Sequence, residues 1–310
     1  MAEIEEMRDE ITKHFKNFKA FEVVRDPSDH HFMKQSKKPK AEAAKAIFNE
    51  YTILEQLPSE TSSMIFVRAY EDHIDLMRAV IVGPQGTPYA DALFFFDILF
   101  PQDYPSYPPN LYFHSYYGLH FNPNLLYPNN NQSWLPKKSS MLQLLLSIQA
   151  LVLNEQGPYY FNEPEPDLWR RLFSSTKKSS CLDQYNKDVF RLCCKAMPRV
   201  MRNPPMHFEC FVLGYFRENA YKILMNCGEY MNKYDVDLVE VMRLLIDKFE
   251  KNGSYCKHLY YLVDEADQKI SKIDGGEKKA IAQGDDQSSL LINKWWKKFV
   301  NGFKFNDLFC

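Results

Sequence analysis

Three runs of β-favouring residues with very short gaps between them constrain this chain more than any other feature. Ser63–Ala69, Ile74–Val82 and Leu93–Phe100 are rich in Ile, Val and Phe. Turn chemistry divides them, first at Glu71, Asp72 and His73, then at Gly83–Pro88 (GPQGTP). Such gaps leave no room for crossover helices, so the runs predict an antiparallel meander rather than a parallel sheet. After Pro101 the chain reads QDYPSYPP. Proline at that density excludes helix and central strand, which predicts an extended wall packed by its tyrosines. A fourth short strand is expected at Asn110–His114.

Helical patterns flank this region. Ala41–Leu57 is rich in helix formers and places Ala43, Ile47, Tyr51 and Leu54 on one apolar face, with Pro58 as its stop. Ser140 and Gln143 form a capping-box pattern that opens a helix to about Asn154, with Leu142, Leu145, Gln149 and Val152 marking one flank. Asp183–Met197, Met206–Tyr230 and Val236–Glu250 carry spacing suited to helix-on-helix packing. The first twenty residues are charged and helical in pattern, and Lys34–Lys40 is a basic loop or linker. Gly275, Gly276 and Gly284–Ser289 punctuate a flexible linker. The expected organisation is an N-terminal extension (1–40), a core (41–165), accessory helices (166–270), a linker (271–290) and an amphipathic aromatic and basic tail (291–310). In that tail Trp295, Trp296, Phe299, Phe303 and Phe305 alternate with Lys294, Lys297, Lys298 and Lys304.

Composition narrows the class of function. A chain of 310 residues with 45% hydrophobic content can bury the core of one large or two small domains. Its 38 basic against 40 acidic side chains leave a formal charge of −2, so no global positive field favours nucleic acid, and none is expected as a partner. The most apolar run, Ala92–Phe100, contains Asp97 and ends at Pro101, far short of the roughly 20 residues that span a bilayer, so no transmembrane segment is expected. The N-terminus lacks the apolar stretch and cleavage site of a secretory signal. Seven cysteines, all after residue 180 and without a C-x-x-C pair, suit reduced thiols in a cytoplasmic or nuclear compartment. No metal or other cofactor is expected: adjacent His30 and His31 would chelate one ion poorly, and no third ligand is evident.

The order of these elements resembles the ubiquitin-conjugating enzyme family, and local sequences agree. Val82–Tyr89 (VGPQGTPY) looks like that family's turn between its second and third strands. Phe95–Pro101 (FFDILFP), followed by Tyr104, Pro105, Pro108 and Pro109, is similar to its third strand and proline-rich stretch. Asn122, Pro123 and Asn124 stand where the family has His-Pro-Asn. Trp134–Pro136 matches Trp-x-Pro, and Ser147–Leu151 matches the helix behind the active site. Phe18–Phe32, Trp134–Ser139, Pro158–Pro164 and Arg202–Glu209 look like the large subclass of plants and animals, which carries extra helices. The resemblance implies an α+β ubiquitin-conjugating fold with an N-terminal helix, a four-stranded antiparallel meander and C-terminal helices.

The family's chemistry needs a nucleophilic cysteine, which accepts the ubiquitin C-terminus as a thioester because thiolate is strongly nucleophilic near neutral pH. In the family that cysteine lies between the Asn of His-Pro-Asn and the Trp of Trp-x-Pro. Here the interval from Asn124 to Trp134 reads LLYPNNNQS, shorter than the family's and without cysteine. Ser133 has no nearby histidine to act as its base, the nearest in sequence being His120, and Cys193 and Cys194 sit in an amphipathic pattern that makes them core residues.

By resemblance, Asn124 holds the oxyanion position. Pro84, Tyr89, Pro105 and Pro108 belong to loops that dock partners, with ubiquitin, the ubiquitin-activating enzyme and a ubiquitin ligase as the partner set. Two functions are implied. One is a ubiquitin-conjugating enzyme-like protein of the transfer pathway, inactive as written because the segment bearing its cysteine is missing through a deletion or a faulty exon assignment. The other is a non-catalytic adaptor that binds ubiquitin, a ligase or a catalytic conjugating enzyme. A plain scaffold is more remote.

Overall fold

The computed structural model describes residues 10–57, 64–116, 134–136, 138–154, 175–234, 238–265 and 268, with backbone only at 175–181 and 232–234. The chain divides into two compact units, residues 1–259 and 260–310. Of the second, residues 260–265 and 268 are described and are helical; the expected linker and the tail lie outside the described residues.

The centre of the first unit is a sheet in the order β1 (Phe21–Val24), β2 (Ile65–Tyr70), β3 (Leu76–Val82), β4 (Leu93–Leu99), β5 (Asn110–Phe113). Strands β2 to β5 form the expected antiparallel meander, with Val67 opposite Ala79, Ala79 opposite Phe96 and Phe96 opposite Phe113. The sheet nevertheless has five strands, not four: β1 comes from the N-terminal extension and pairs parallel with β2. The Val67 and Glu71 amides donate to the Ala20 and Val24 carbonyls at 2.6 and 2.9 Å. Its sequence, FEVV, is short and only Phe21 is buried, so it carries almost no period of its own and is recruited by the edge of β2.

The helices are α1 (residues 10–16), α2 (Ala41–Glu55), α3 (Met141–Ser147), α4 (Ser175–Arg202), α5 (Glu209–Tyr234) and α6 (Val239–Lys251). Helix α2 buries Ala43, Ile47, Tyr51 and Leu54 as its spacing predicts, together with Glu50. The capping box at α3 is complete: the Ser140 hydroxyl accepts from the Gln143 amide and the Gln143 side chain accepts from the Ser140 amide. The buried residues of this rod are Met141, Leu145 and Ile148, and because a π-turn follows at Ile148–Val152 the next is Leu153; of the expected flank only Leu145 is buried, with Leu142, Gln149 and Val152 half-buried. The basic loop before α2 is fastened down, since the Ser36 hydroxyl and the Lys37 amide donate to buried Asp75 at 2.7 and 2.8 Å.

Both faces of β2, β3 and β4 are buried. One face carries a row of Phe66, Val80 and Phe95 beside a row of Arg68, Arg78 and Asp97. Phe18, Phe208 and Phe211 close over it, with Phe66 and Phe211 ring centres 4.4 Å apart and Phe95 and Phe208 5.3 Å apart. The Arg68 guanidinium lies 3.9 Å from the centre of the Phe18 ring, a cation–π contact that eases the opposition of Arg68 and Arg78 across the strands.

Arg78 is wholly buried and organises this face. Its Nε and Nη2 donate to the two Asp97 oxygens at 2.6 and 3.0 Å, and Nη1 donates to both Asp29 oxygens at 2.7 and 2.8 Å. Asp97 also accepts the His31 amide at 2.7 Å, and Asp29 accepts the Met206 amide at 3.0 Å. Burial opposes charge on Arg78, but the aspartates outweigh it and hold its pKa above the usual value. Burial likewise opposes charge on Asp97, yet hydrogen bonds from His114 and Arg78 hold it well below the usual carboxylate range. His30 is neutral: its Nε2 donates to the Met77 carbonyl at 2.8 Å and its Nδ1 accepts the Phe32 amide at 3.3 Å.

Removing one member of a buried ion pair strands the other, so Arg78→Leu is expected to lose about 3–5 kcal/mol of stability at pH 7. Asp97 has a depressed pKa, so its contribution is full above about pH 4 and lost as pH falls below that. Urea midpoints should therefore show wild type and R78L converging as the pH is lowered below about 4.

Candidate functional site

By resemblance the site lies between β5 and α3. Asn122, Asn124 and Ser133 fall outside the described residues, so the site is defined by the frame on either side of it.

The entry side is the proline-rich wall. Tyr104 is buried against Phe100, with ring centres 4.8 Å apart, and the Tyr104–Pro105 peptide is cis. Its hydroxyl donates to Glu50 Oε1 at 2.6 Å, while Glu50 Oε2 accepts the Met141 amide at 2.9 Å. One buried carboxylate of α2 thus ties the wall before the site to the first turn of α3 after it. A carboxylate at a helix N-terminus also suits the helix dipole. Burial raises the pKa of Glu50, against the two hydrogen bonds that favour its charge. Trp134 completes the frame: its indole donates to the Pro105 carbonyl at 2.9 Å and its ring centre lies 5.9 Å from that of Tyr104. Where the chain leaves β5, Tyr116 takes a left-handed φ of 41° and its carbonyl accepts from the Arg199 guanidinium of α4 at 3.3 Å.

Of the expected partner residues, Pro84, Pro105 and Pro108 are half-buried. Tyr89 is a correction: it is fully buried, its ring 5.7 Å from Phe94 and its hydroxyl 3.2 Å from that of Tyr185 on α4, so it has no side-chain surface to offer. The turn it closes needs Gly83, where a Cβ would stand 1.8 Å from the Tyr89 carbonyl oxygen. Asp91, at a φ of 60°, accepts from Gln85 within the turn at 2.7 Å and anchors the turn to α5 by accepting from Lys222 and Asn226, each at 3.0 Å. Sequence reasoning missed Tyr107 and Leu135, which are 62% and 57% exposed and flank the Pro105–Trp134 contact. Their only signal was an apolar side chain beside a structural proline.

No described thiol is poised for nucleophilic attack. Cys193, Cys194, Cys227 and Cys256 are buried and Cys210 is half-buried. Burial raises the pKa of Cys193, Cys210 and Cys256, the last to about 11. Cys194 is raised by its contact with Cys227, 3.6 Å away, and by burial. The Cys181 side chain and Cys310 lie outside the described residues. Among the described residues no group of three or more His, Cys, Asp or Glu side chains could hold a metal ion, and no helix is long and apolar enough to cross a membrane.

Glu50→Gln would turn one acceptor into an amide nitrogen that meets either the Tyr104 hydroxyl or the Met141 amide. It is expected to cost about 1–3 kcal/mol, read as a melting temperature several degrees lower. Unchanged melting would contradict the role given to Glu50.

Residues 46–170 match the family model described as ubiquitin-conjugating enzyme. The chain is 41% identical over 278 residues to a candidate ubiquitin-conjugating enzyme of Arabidopsis thaliana, E2 38, a match covering 77% of this chain and 82% of that one. It is 44% identical over 231 residues to the probable ubiquitin-conjugating enzyme E2 25 of the same plant, covering 69% of this chain and 36% of that one. It is 33% identical over 243 residues to the human dual E2 ubiquitin-conjugating enzyme/E3 ubiquitin-protein ligase BIRC6, covering 69% of this chain and 5% of that one.

Proposed function

Because this chain belongs to the ubiquitin-conjugating enzyme family, we propose that it acts in the ubiquitin transfer pathway by binding, without forming a ubiquitin thioester. The observation that carries this reading is the interval Asn124–Trp134, whose intervening residues, LLYPNNNQS, contain no thiol. A thioester is both made and broken at one activated sulfur, and neither a serine without a base nor a buried thiol of raised pKa replaces it. Asn124, without an acyl group to attack beside it, keeps the role of shaping its turn.

Binding needs surface rather than a nucleophile. The half-exposed Pro105 and Pro108, the exposed Tyr107 and Leu135 and the turn at Pro84 supply an apolar rim held rigidly by Glu50, Trp134 and Asp91. Exposed apolar and aromatic side chains on a preorganised rim are the ordinary material of a protein-binding site. The partners in this reading are ubiquitin, the ubiquitin-activating enzyme and a ubiquitin ligase or catalytic conjugating enzyme, met as an adaptor in the cytoplasm or nucleus.

Incubated with activating enzyme, ATP and ubiquitin, the chain is expected to give no thiol-sensitive adduct; such an adduct on any of its seven cysteines overturns the reading. Added as a competitor, it is expected to slow the charging of an intact conjugating enzyme in proportion to its concentration. Failure to compete for, or to co-elute with, any of the named partners overturns the binding half.

A further inference from the structure

Helix α4 carries a second feature that the family resemblance does not use. It packs inward through Val189, Cys193, Met197 and Val200, all buried. On the other side Lys187, Arg191, Lys195 and Arg199 follow one another at intervals of four, so they line one face, about 6 Å apart along the axis. Arg191 is exposed and the other three are half-buried. Among the described residues no carboxylate lies within ion-pair distance of Arg191 or Lys195. Asp188, half-buried and bonded to Gln184 at 3.3 Å, is the acidic group nearest the middle of the row. Like charges four apart repel along a helix, and the field of Asp188 offsets only part of that repulsion at Lys195. Burial first, then Arg191 and Arg199, pull the pKa of Lys195 below its usual value. An anionic ligand would relieve that repulsion.

We propose that this stripe of α4 docks an acidic peptide segment of a partner protein. Single file at about 6 Å matches the spacing of alternate side chains along an extended chain. Nucleic acid fits less well. Asp183 and Asp188 lie beside the row, the described part of α4 exposes no aromatic platform on which bases could stack, and the chain as a whole is net negative. The position adds a direction. Arg199, at the end of the row, is the residue whose guanidinium holds the Tyr116 carbonyl where the chain leaves β5 for the segment bearing Asn124. A peptide seated along α4 would therefore run towards the point where the chain leaves β5. The inference is independent of the proposed absence of thioester chemistry and survives its failure.

The test uses the full chain and a fluorescently labelled decaglutamate, followed by anisotropy, with labelled oligothymidylate in parallel. Saturable binding to decaglutamate is expected at about 50 mM salt and should weaken several-fold by about 200 mM, as charges at a surface are screened. Arg191→Glu with Lys195→Glu is expected to weaken it at least tenfold, about 1.4 kcal/mol, with an unchanged melting temperature. Arg191→Ala, which adds no new charge, should fall between, and Lys34→Glu with Lys38→Glu, on the basic loop before α2, should bind as wild type. The proposal is overturned by the absence of saturable binding, by R191E/K195E binding as wild type, by an equal loss in the loop variant, or by tighter binding to oligothymidylate.

Discussion

Arg78 is a cation with no access to water, and everything on its side of the sheet is arranged around that fact. A buried guanidinium is tolerable only when its donors are met, because the desolvation cost otherwise exceeds what the fold can supply. Asp97 on the neighbouring strand meets one edge and Asp29 from the N-terminal extension meets the other. Those aspartates then recruit the His31 and Met206 amides, and His207 bonds the Asp26 carbonyl at 2.9 Å. Strands, extension and the approach to α5 are thereby committed to one another. The extension cannot be an appendage to a finished core, because without it Arg78 has half its partners, and the Met206 amide ties the approach to α5 to the same Asp29.

Two further carboxylates do for the site and its rim what Asp97 does for the sheet. Glu50 joins the proline-rich wall to the start of α3, and Asp91 joins the turn after β3 to α5. Each is a single acceptor gathering donors from elements distant in the chain, so geometry is set from outside the segment that bears Asn124. No described part of this frame depends on a cysteine, so its rigidity does not require a thiol. The same arrangement turns the loop around Tyr89 inward. The tyrosine that by resemblance should face a partner packs on Phe94 and Tyr185 instead, while Tyr107 and Leu135 are exposed.

The readable parts of this fold were those whose causes are local. Alternation and turn residues marked β2 to β5, the face of α2 followed from intervals of three and four, and Ser140 with Gln143 announced a cap that forms as expected. Strand β1 escaped because its pairing partner lies 46 residues on, and the rod after Ser140 misled because it is apolar nearly all round and ends in a π-turn that buries Leu153 instead of Val152. The charged centres were invisible for a sharper reason. Arg78 and Asp29 are 49 residues apart, Glu50 and Met141 91, and Asp91 and Asn226 135, and no periodicity links such positions. Asp97 was visible only as a polar interruption in an apolar run. Family resemblance reached further than pattern did, as it supplied the fold, but it could not say that Tyr89 would be buried.

If the Arg78 network makes sheet, extension and accessory helices one cooperative body, native-state hydrogen exchange is its sharpest test. The amides of His31 and Met206 each donate to a carboxylate of the network while belonging to segments outside the meander. Both amides are expected to open with the same free energy as the central amides of β3 and β4, and that value should equal the global unfolding free energy from denaturant. Opening of either at a clearly lower free energy, while β3 and β4 stay protected, would mean that the extension or the accessory helices unfold on their own and that Arg78 does not unite them.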